Sequence, residues 1–415
     1  MDRVSGDPAT SEAVLAEMRR QHETVTLIAS ENYASPAVLE SAGSILTNKY
    51  VDGVPGAREY MGCEHCDTIE RLARDRLCAL FGTEYANVQP YSGSVANLAV
   101  YLSALRPGDR ILSHATGDGG HHTHGSPDHI SGRLYDAARY GVDPETGLLD
   151  YAEIAAIARR VRPHLLICGA SAYPRTIDFA IFGEIAEEVG ATGLADIAHI
   201  AGLIAAGVHP SPAGHQEWIT TTTHKTLRGP RGGAIMCLKE DAGAIDAAVA
   251  PGIQGGPLMH TIAGKAICFA EARTEEFRHY ARQVVTNAQT LAAALETEGL
   301  AVFSGGTDNH LLIVDCEGTG LSGHAAEAAL FAAGICADHC PVPGTGQEYA
   351  TAGGIRLGTP AVTTRGMGEG EMQALAGHIA TVLARPDDRD TLAGAREEVR
   401  SLVTGFLPPE SPLKD

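Results

Sequence analysis

A single lysine, Lys225, follows the run Thr220-Thr221-Thr222-Thr223-His224 and precedes Thr226 and the glycine-rich Leu227-Arg228-Gly229-Pro230-Arg231-Gly232-Gly233. The strand-like Glu217-Trp218-Ile219 leads into it. Hydroxyls and backbone amides there would pin the amine while desolvation lowers its pKa, which suits a Schiff base with an aldehyde cofactor. Three further groups fit one such cofactor, pyridoxal phosphate. Tyr91-Ser92-Gly93-Ser94 lies between a strand and a helix, where hydroxyls and free amides form a phosphate cup. Asp196-Ile197-Ala198-His199 follows an apolar strand, at the carboxyl end where open α/β sheets bind ligands. Asp196 can keep a pyridine nitrogen protonated there, with His199 supporting that carboxylate or a cofactor oxygen. His121, on the hinge Gly119-Gly120, can stack flat over the ring.

Two segments complete the set. Gly255-Gly256-Pro257 offers bare amides to a phosphate, read as reaching a neighbouring subunit. Arg356, in Gly354-Ile355-Arg356-Leu357-Gly358-Thr359-Pro360, is a fork for an amino-acid carboxylate. A lone Ser-Gly-Ser is usually a turn, and a lone Asp often a helix cap. The combination carries the argument.

Alternating helices and short apolar strands must position these groups. Strands are expected at Tyr85-Ala86-Asn87-Val88, Arg110-Ile111-Leu112, Leu165-Leu166-Ile167-Cys168, Gly193-Leu194-Ala195-Asp196 and Ala234-Ile235-Met236-Cys237. Helices are expected over residues 11–22, 67–81, 151–160 and 182–189, with one long helical stretch over 259–295. The pattern predicts a mainly parallel sheet covered on both faces. A smaller α+β part follows, with a strand at 311–315, a helix at 323–333 and a closing helix near 371–383. The expected units are an N-terminal arm and helix (1–66), a large cofactor-binding domain (67–258), a linking helical stretch (259–299), a small C-terminal domain (300–406) and a disordered tail (407–415).

The 415 residues carry 51 acidic and 31 basic side chains, a formal charge of −20. That excess argues against nucleic acid and anionic membrane as partners. The polar opening Met1-Asp2-Arg3-Val4-Ser5-Gly6-Asp7 reads as no signal peptide, and no apolar run has membrane-spanning length, so a cytoplasmic protein is expected. Nine cysteines, an odd number, are scattered. Cys63-Glu64-His65-Cys66 lacks a second pair at zinc-binding spacing, and no metal site is expected, despite the histidines at 114, 121, 122, 124 and 129.

Longer segments add a resemblance. Leu27-Ile28-Ala29-Ser30-Glu31-Asn32-Tyr33, Gly169-Ala170-Ser171-Ala172-Tyr173-Pro174, the lysine segment, Pro251-Gly252-Ile253-Gln254-Gly255-Gly256-Pro257 and Ser304-Gly305-Gly306-Thr307-Asp308-Asn309-His310 resemble the serine hydroxymethyltransferase family over nearly the whole chain. The resemblance implies an α/β, fold-type I pyridoxal phosphate transferase. Its large domain is built on a mainly parallel sheet and its smaller C-terminal domain is α+β. Lys225 becomes the Schiff-base lysine, Asp196 the pyridinium partner and His121 the ring-stacking histidine. Ser92, Gly93, Ser94 and Gly256 surround the phosphate. Ser30 and Arg356 grip the substrate carboxylate, and Ser171, His199 and His224 complete the inner shell. Tyr50 and Tyr60 enter from the other subunit, which implies a homodimer with active sites at its interface.

The departures from that family concentrate on one side of the site. Its glutamate in Tyr-Ala-Glu-Gly is Asp52 here, one methylene shorter, enough to disturb a positioned proton transfer. A neighbouring tyrosine is Glu59, two folate-sandwiching leucines are Thr116 and His122, and a pterin-reading asparagine is Cys340. Positions toward pyridoxal phosphate and the amino acid are kept; those toward folate change together. The expected activity is a transaldolase or aldolase acting on L-threonine or L-serine with an aldehyde acceptor, and use of tetrahydrofolate is in doubt. Lys225, Asp52, His121, Asp196, Tyr60 and His224 form its expected catalytic set. The alternative is a tetrahydrofolate-dependent serine or α-methylserine hydroxymethyltransferase.

Overall fold

The computed structural model describes residues 6–409. Seven strands form the main sheet: β1 (Tyr85–Asn87), β2 (Arg110–His114), β3 (Asp136–Tyr140), β4 (Leu165–Cys168), β5 (Thr192–Asp196), β6 (Trp218–Thr222) and β7 (Gly233–Cys237). Their spatial order is β1-β7-β6-β5-β4-β2-β3. The run from β6 to β3 is parallel, and β7 is antiparallel to both its neighbours. Every residue of β4 is at 0 % exposure, as a parallel strand covered on both faces must be.

The crossover helices are fixed by their ends. Asp150 accepts from the amides of Ala152 and Glu153 to start Tyr151–Val161. Asp178 does the same for Phe179–Val189, which Gly190 closes in the left-handed conformation. Their apolar faces, among them Ile154, Ala158, Phe182 and Ile185, bury against the sheet core. Because β5 and β6 are parallel neighbours with Asp196 paired to Thr220, their carboxyl ends bring Asp196 and the Lys225 turn side by side. That is where the reactive groups meet.

A second sheet is antiparallel, with β8 (Ala301–Val302), β9 (Leu311–Asp315), β10 (Asp338–Cys340) and β11 (Gly354–Gly358) in the order β8-β9-β11-β10. Leu312, Val314, Ile355 and Leu357 pack beneath the helix Glu369–Ala384 through Leu375 and Ile379. The N-terminal arm belongs to this layer. Val25–Thr26 pairs in parallel with Ile335–Cys336, and Leu27 joins the same core.

Several expectations need correction. The stretch over 259–295 is two helices, Met259–Glu271 and Glu275–Thr297, because Thr274 caps the second by accepting from the Phe277 amide at 3.2 Å. The closing helix is Arg389–Thr404 rather than the one near 371–383; it buries one narrow stripe, Ala395, Val399 and Val403, at four-residue spacing. Strand β3 was missed because most of it is only partly covered. Of the tail expected to be disordered, residues 410–415 lie outside the described residues.

Candidate active site

The ends of β5 and β6, the start of the helix Gly93–Ala104 and the loops around them line a cavity of about 200 Å³. Ser30, Ser92, Gly93, Ser94, His121, Ser171, Asp196, His199, His224 and Lys225 all line it, joining ten of the residues singled out from the sequence. Through Ser30, His224 and Arg231 it adjoins a larger cleft of about 640 Å³.

Lys225 opens a short turn after β6 at φ 59°, a left-handed conformation that a side chain with Cβ adopts only where its surroundings impose it. Asn32 contributes by donating its side-chain amide to the Lys225 carbonyl at 2.8 Å. Burial pushes the Lys225 ammonium down to about 8, against the pull of Asp196. A substantial fraction of the amine is therefore neutral and nucleophilic near physiological pH.

Asp196 ends β5 and is held from three directions. Its carboxylate accepts from Asn97 Nδ2 at 2.8 Å, His124 Nε2 at 3.0 Å and the Ala198 amide at 3.0 Å. Burial alone would raise this carboxyl, but the bonds from His124 and Asn97 outweigh it and hold it well below the usual range. Asp196 stays ionised.

His121 owes its place to Gly119. At φ 109°, that glycine packs so closely that an added Cβ would sit 2.6 Å from the Ala172 carbonyl oxygen. The imidazole Nδ1 shares a 2.7 Å hydrogen bond with the Thr123 hydroxyl, and burial pushes its pKa down to about 3. Burial brings His224 to about 3 as well and holds His199 well below the ordinary value; His199 also meets His310 at 3.1 Å. Neutral imidazoles therefore line this cavity.

Ser92 caps the helix Gly93–Ala104, accepting from the Val95 amide at 3.2 Å, so the first-turn amides face the cavity mouth. Behind this cup, Lys265 sends its buried ammonium to the carbonyls of Val88 (2.6 Å), Pro90 (3.0 Å) and Gly233 (2.8 Å).

Arg356 stands behind the cavity wall. It donates to the Ser171 carbonyl at 2.5 Å and to Asp338 at 2.6 Å, while its Nε and the second Asp338 oxygen are buried without partners.

Other expected residues lie apart from the cavity. Tyr50 and Tyr60 are exposed, with rings 5.6 Å apart edge to face. Asp52 and Gly256 adjoin them, so closely that a Cβ on Gly256 would lie 2.9 Å from both Asp52 Oδ1 and the Tyr50 ring. Asp52 Oδ1 is itself buried and unpartnered. Glu59 is exposed beside them, past the short hairpin of Gly53–Val54 and Ala57–Arg58, its amide donating to the Asp52 carbonyl at 3.1 Å. Thr116 is half-buried, while His122 is exposed against Tyr349 at 5.3 Å. Cys340 is sealed at 1 % exposure beside Ala172 and Ile313, away from the cavity surface.

Asn97, His124, Arg231 and Lys265 were missed. Asn97 and Lys265 each interrupt an otherwise apolar helical run, the signal of a buried polar group with an assigned partner.

The comparisons agree with this architecture. A family model described as serine hydroxymethyltransferase matches residues 4–379. A curated protein named serine hydroxymethyltransferase, from Methanospirillum hungatei JF-1, is 53% identical over 400 residues, which is 96% of this chain and 97% of that protein. With this extent of match, and with the mainly parallel sheet already described, the chain belongs to the serine hydroxymethyltransferase family of fold-type I, pyridoxal phosphate-dependent transferases.

Proposed function

We propose that this chain breaks and makes the Cα–Cβ bond of β-hydroxy amino acids, L-threonine or L-serine, passing the amino-acid fragment to an aldehyde acceptor without tetrahydrofolate. The cavity shared by a neutralisable Lys225 amine and an ionised Asp196 supports the cofactor chemistry, and the joint change at Asp52, Glu59, Thr116, His122 and Cys340 is the observation that carries the folate-free reading. The residues present fit pyridoxal phosphate. Lys225 would hold its aldehyde carbon and Asp196 its ring nitrogen, with neutral His121 against the ring face. Ser92, Gly93 and Ser94 at the helix start would take its phosphate, joined by Gly256 of a second subunit. When bound, the cofactor supplies an electron sink for the pair left on Cα as the bond opens.

The chain's own groups would do the rest. Arg356, with Ser30, orients the substrate carboxylate and so sets which Cα bond stands over the ring. Tyr50, Asp52, Tyr60 and Gly256 cluster outside their own cavity, which supports their acting across a homodimer interface. Exposed Tyr50, Tyr60 and Met61 give that surface apolar area to bury. In that arrangement Asp52 takes the β-hydroxyl proton as the aldehyde leaves, and Tyr60 positions the hydroxyl. His224 Nδ1, buried without a partner at the cavity wall, offers a second proton acceptor. Thr116 and His122 replace the apolar folate wall with polar groups and Glu59 replaces a tyrosine, which suits a hydrophilic aldehyde. Among the described residues no helix is long and apolar enough to cross a membrane; the −20 charge supports the cytoplasm as its setting.

A second reading has its own support: the 53% identical relative is named serine hydroxymethyltransferase. In that reading a folate accepts the one-carbon unit. Incubating the holoenzyme with L-threonine or L-serine, with and without tetrahydrofolate, separates them. Aldehyde release and condensation independent of folate support the first reading. Strict folate dependence establishes the second.

A further inference from the structure

Outside the cavity, three potential metal ligands converge on the small sheet. The helix Gly323–Ala332 starts at the cap Ser322 and carries His324 and Glu327 one turn apart, so both project from one face. Strand β10 runs beside that helix and carries His339. His339 Nδ1 lies 2.5 Å from a Glu327 carboxylate oxygen, and the His324 ring centre is 3.7 Å from that of His339. One donor atom from each of the three falls within 4.8 Å of the other two. Among the described residues, no other trio of histidine, cysteine or carboxylate donors converges in this way.

We propose that His324, Glu327 and His339 bind a divalent transition-metal cation of the zinc class, with solvent completing its coordination. Two imidazoles and one carboxylate suit zinc, cobalt or nickel, whereas magnesium and calcium require mostly oxygen donors. Bonds of about 2.0–2.1 Å in a tetrahedral shell place donors roughly 3.4 Å apart. Rotation of the exposed His324 side chain would close the present spread to that distance. His339 is the fixed member, because β10 is paired to β11 with His339 opposite Ile355. The ion would tie the helix to β10, whose first residue, Asp338, holds Arg356. No local spacing exposes the trio, because its ligands are split between a helix and a strand with Ile335–Cys336 between them. This assignment stands on its own geometry and does not depend on the reaction proposed above.

The test is cobalt(II) titration of the metal-stripped holoenzyme near neutral pH, following ligand-field absorption, with zinc competition. One equivalent is expected to bind, displaced by zinc. H324Q and H339Q should each weaken binding at least about tenfold with unchanged circular dichroism. H324Q alters an exposed side chain, so loss of folding does not obscure it. Wild-type binding no tighter than about 1 mM, or affinity in both variants equal to that of the wild type, would overturn the site and leave the trio as a hydrogen-bonded pair beside a second imidazole.

Discussion

Asp338 Oδ2 lies 2.6 Å from Arg356 Nη2, so the guanidinium proposed to receive a substrate carboxylate already holds one from the protein. Both groups keep one buried polar atom unpartnered, Arg356 Nε and Asp338 Oδ1. An arriving carboxylate must share or displace this contact, and it meets a like charge while doing so.

Replacing Asp338→Asn removes that competition and leaves the fork in place. The KM for glycine or serine should fall about tenfold while kcat changes little, since a charged hydrogen bond contributes roughly 1.5–3 kcal/mol. Steady-state kinetics check this. An unchanged or higher KM would show that Asp338 positions Arg356 rather than competing for it.

Lys225 sets a pH dependence. Burial lowers its pKa from 10.5 to about 8 in the cofactor-free chain. The neutral amine is the nucleophile, so its fraction rises with pH, reaching roughly half near pH 8 against a few parts per thousand for an ordinary lysine. The rate of pyridoxal phosphate loading should increase through that region and level off above it. Stopped-flow absorbance at a series of pH values measures the profile.

His124 acts on the site through Asp196. His124→Phe keeps a ring of similar size but removes the 3.0 Å bond to the carboxylate. The kcat should fall about ten- to a hundredfold, by analogy with other groups that orient a ligand from behind. The bound cofactor's visible absorption should also titrate at a different pH, a readout that simple loss of packing would not move.

Lys265→Met should destabilise the fold by about 3 kcal/mol or more, because three buried carbonyls lose their donor together. Urea unfolding measures this. Cofactor affinity should weaken with it, since Val88 and Pro90 lead into the Ser92 cup.

The dimer proposal predicts complementation between two inactive subunits. In a heterodimer of K225A with Y60F, one site would combine an intact Lys225 with an intact Tyr60 from the other chain. Random mixing should restore about a quarter of wild-type activity. If Tyr60 serves its own cavity, no activity returns.

Much of the candidate site was legible because it sits at strand ends, where apolar runs give way abruptly to Asp196 or to the Lys225 turn. The supports were harder to read. Asn97, His124 and Lys265 act through buried hydrogen bonds whose partners lie far away in sequence, so no local spacing exposes them. Asp338 was invisible for the same reason: its partner Arg356 is on β11, across a strand pairing that composition does not predict. The break between the helices at 272–274 turned on a single cap, Thr274, inside an otherwise continuous helical pattern.

The most direct test concerns which amine holds the cofactor. Burial alone would favour Lys265, whose pKa is pushed lower, to about 7, but three carbonyls occupy that ammonium and it lies outside the cavity. Borohydride reduction of the yellow holoenzyme followed by peptide mass mapping should place a single pyridoxyl group on Lys225. A label on Lys265 or another lysine, or no label at all, would contradict the account.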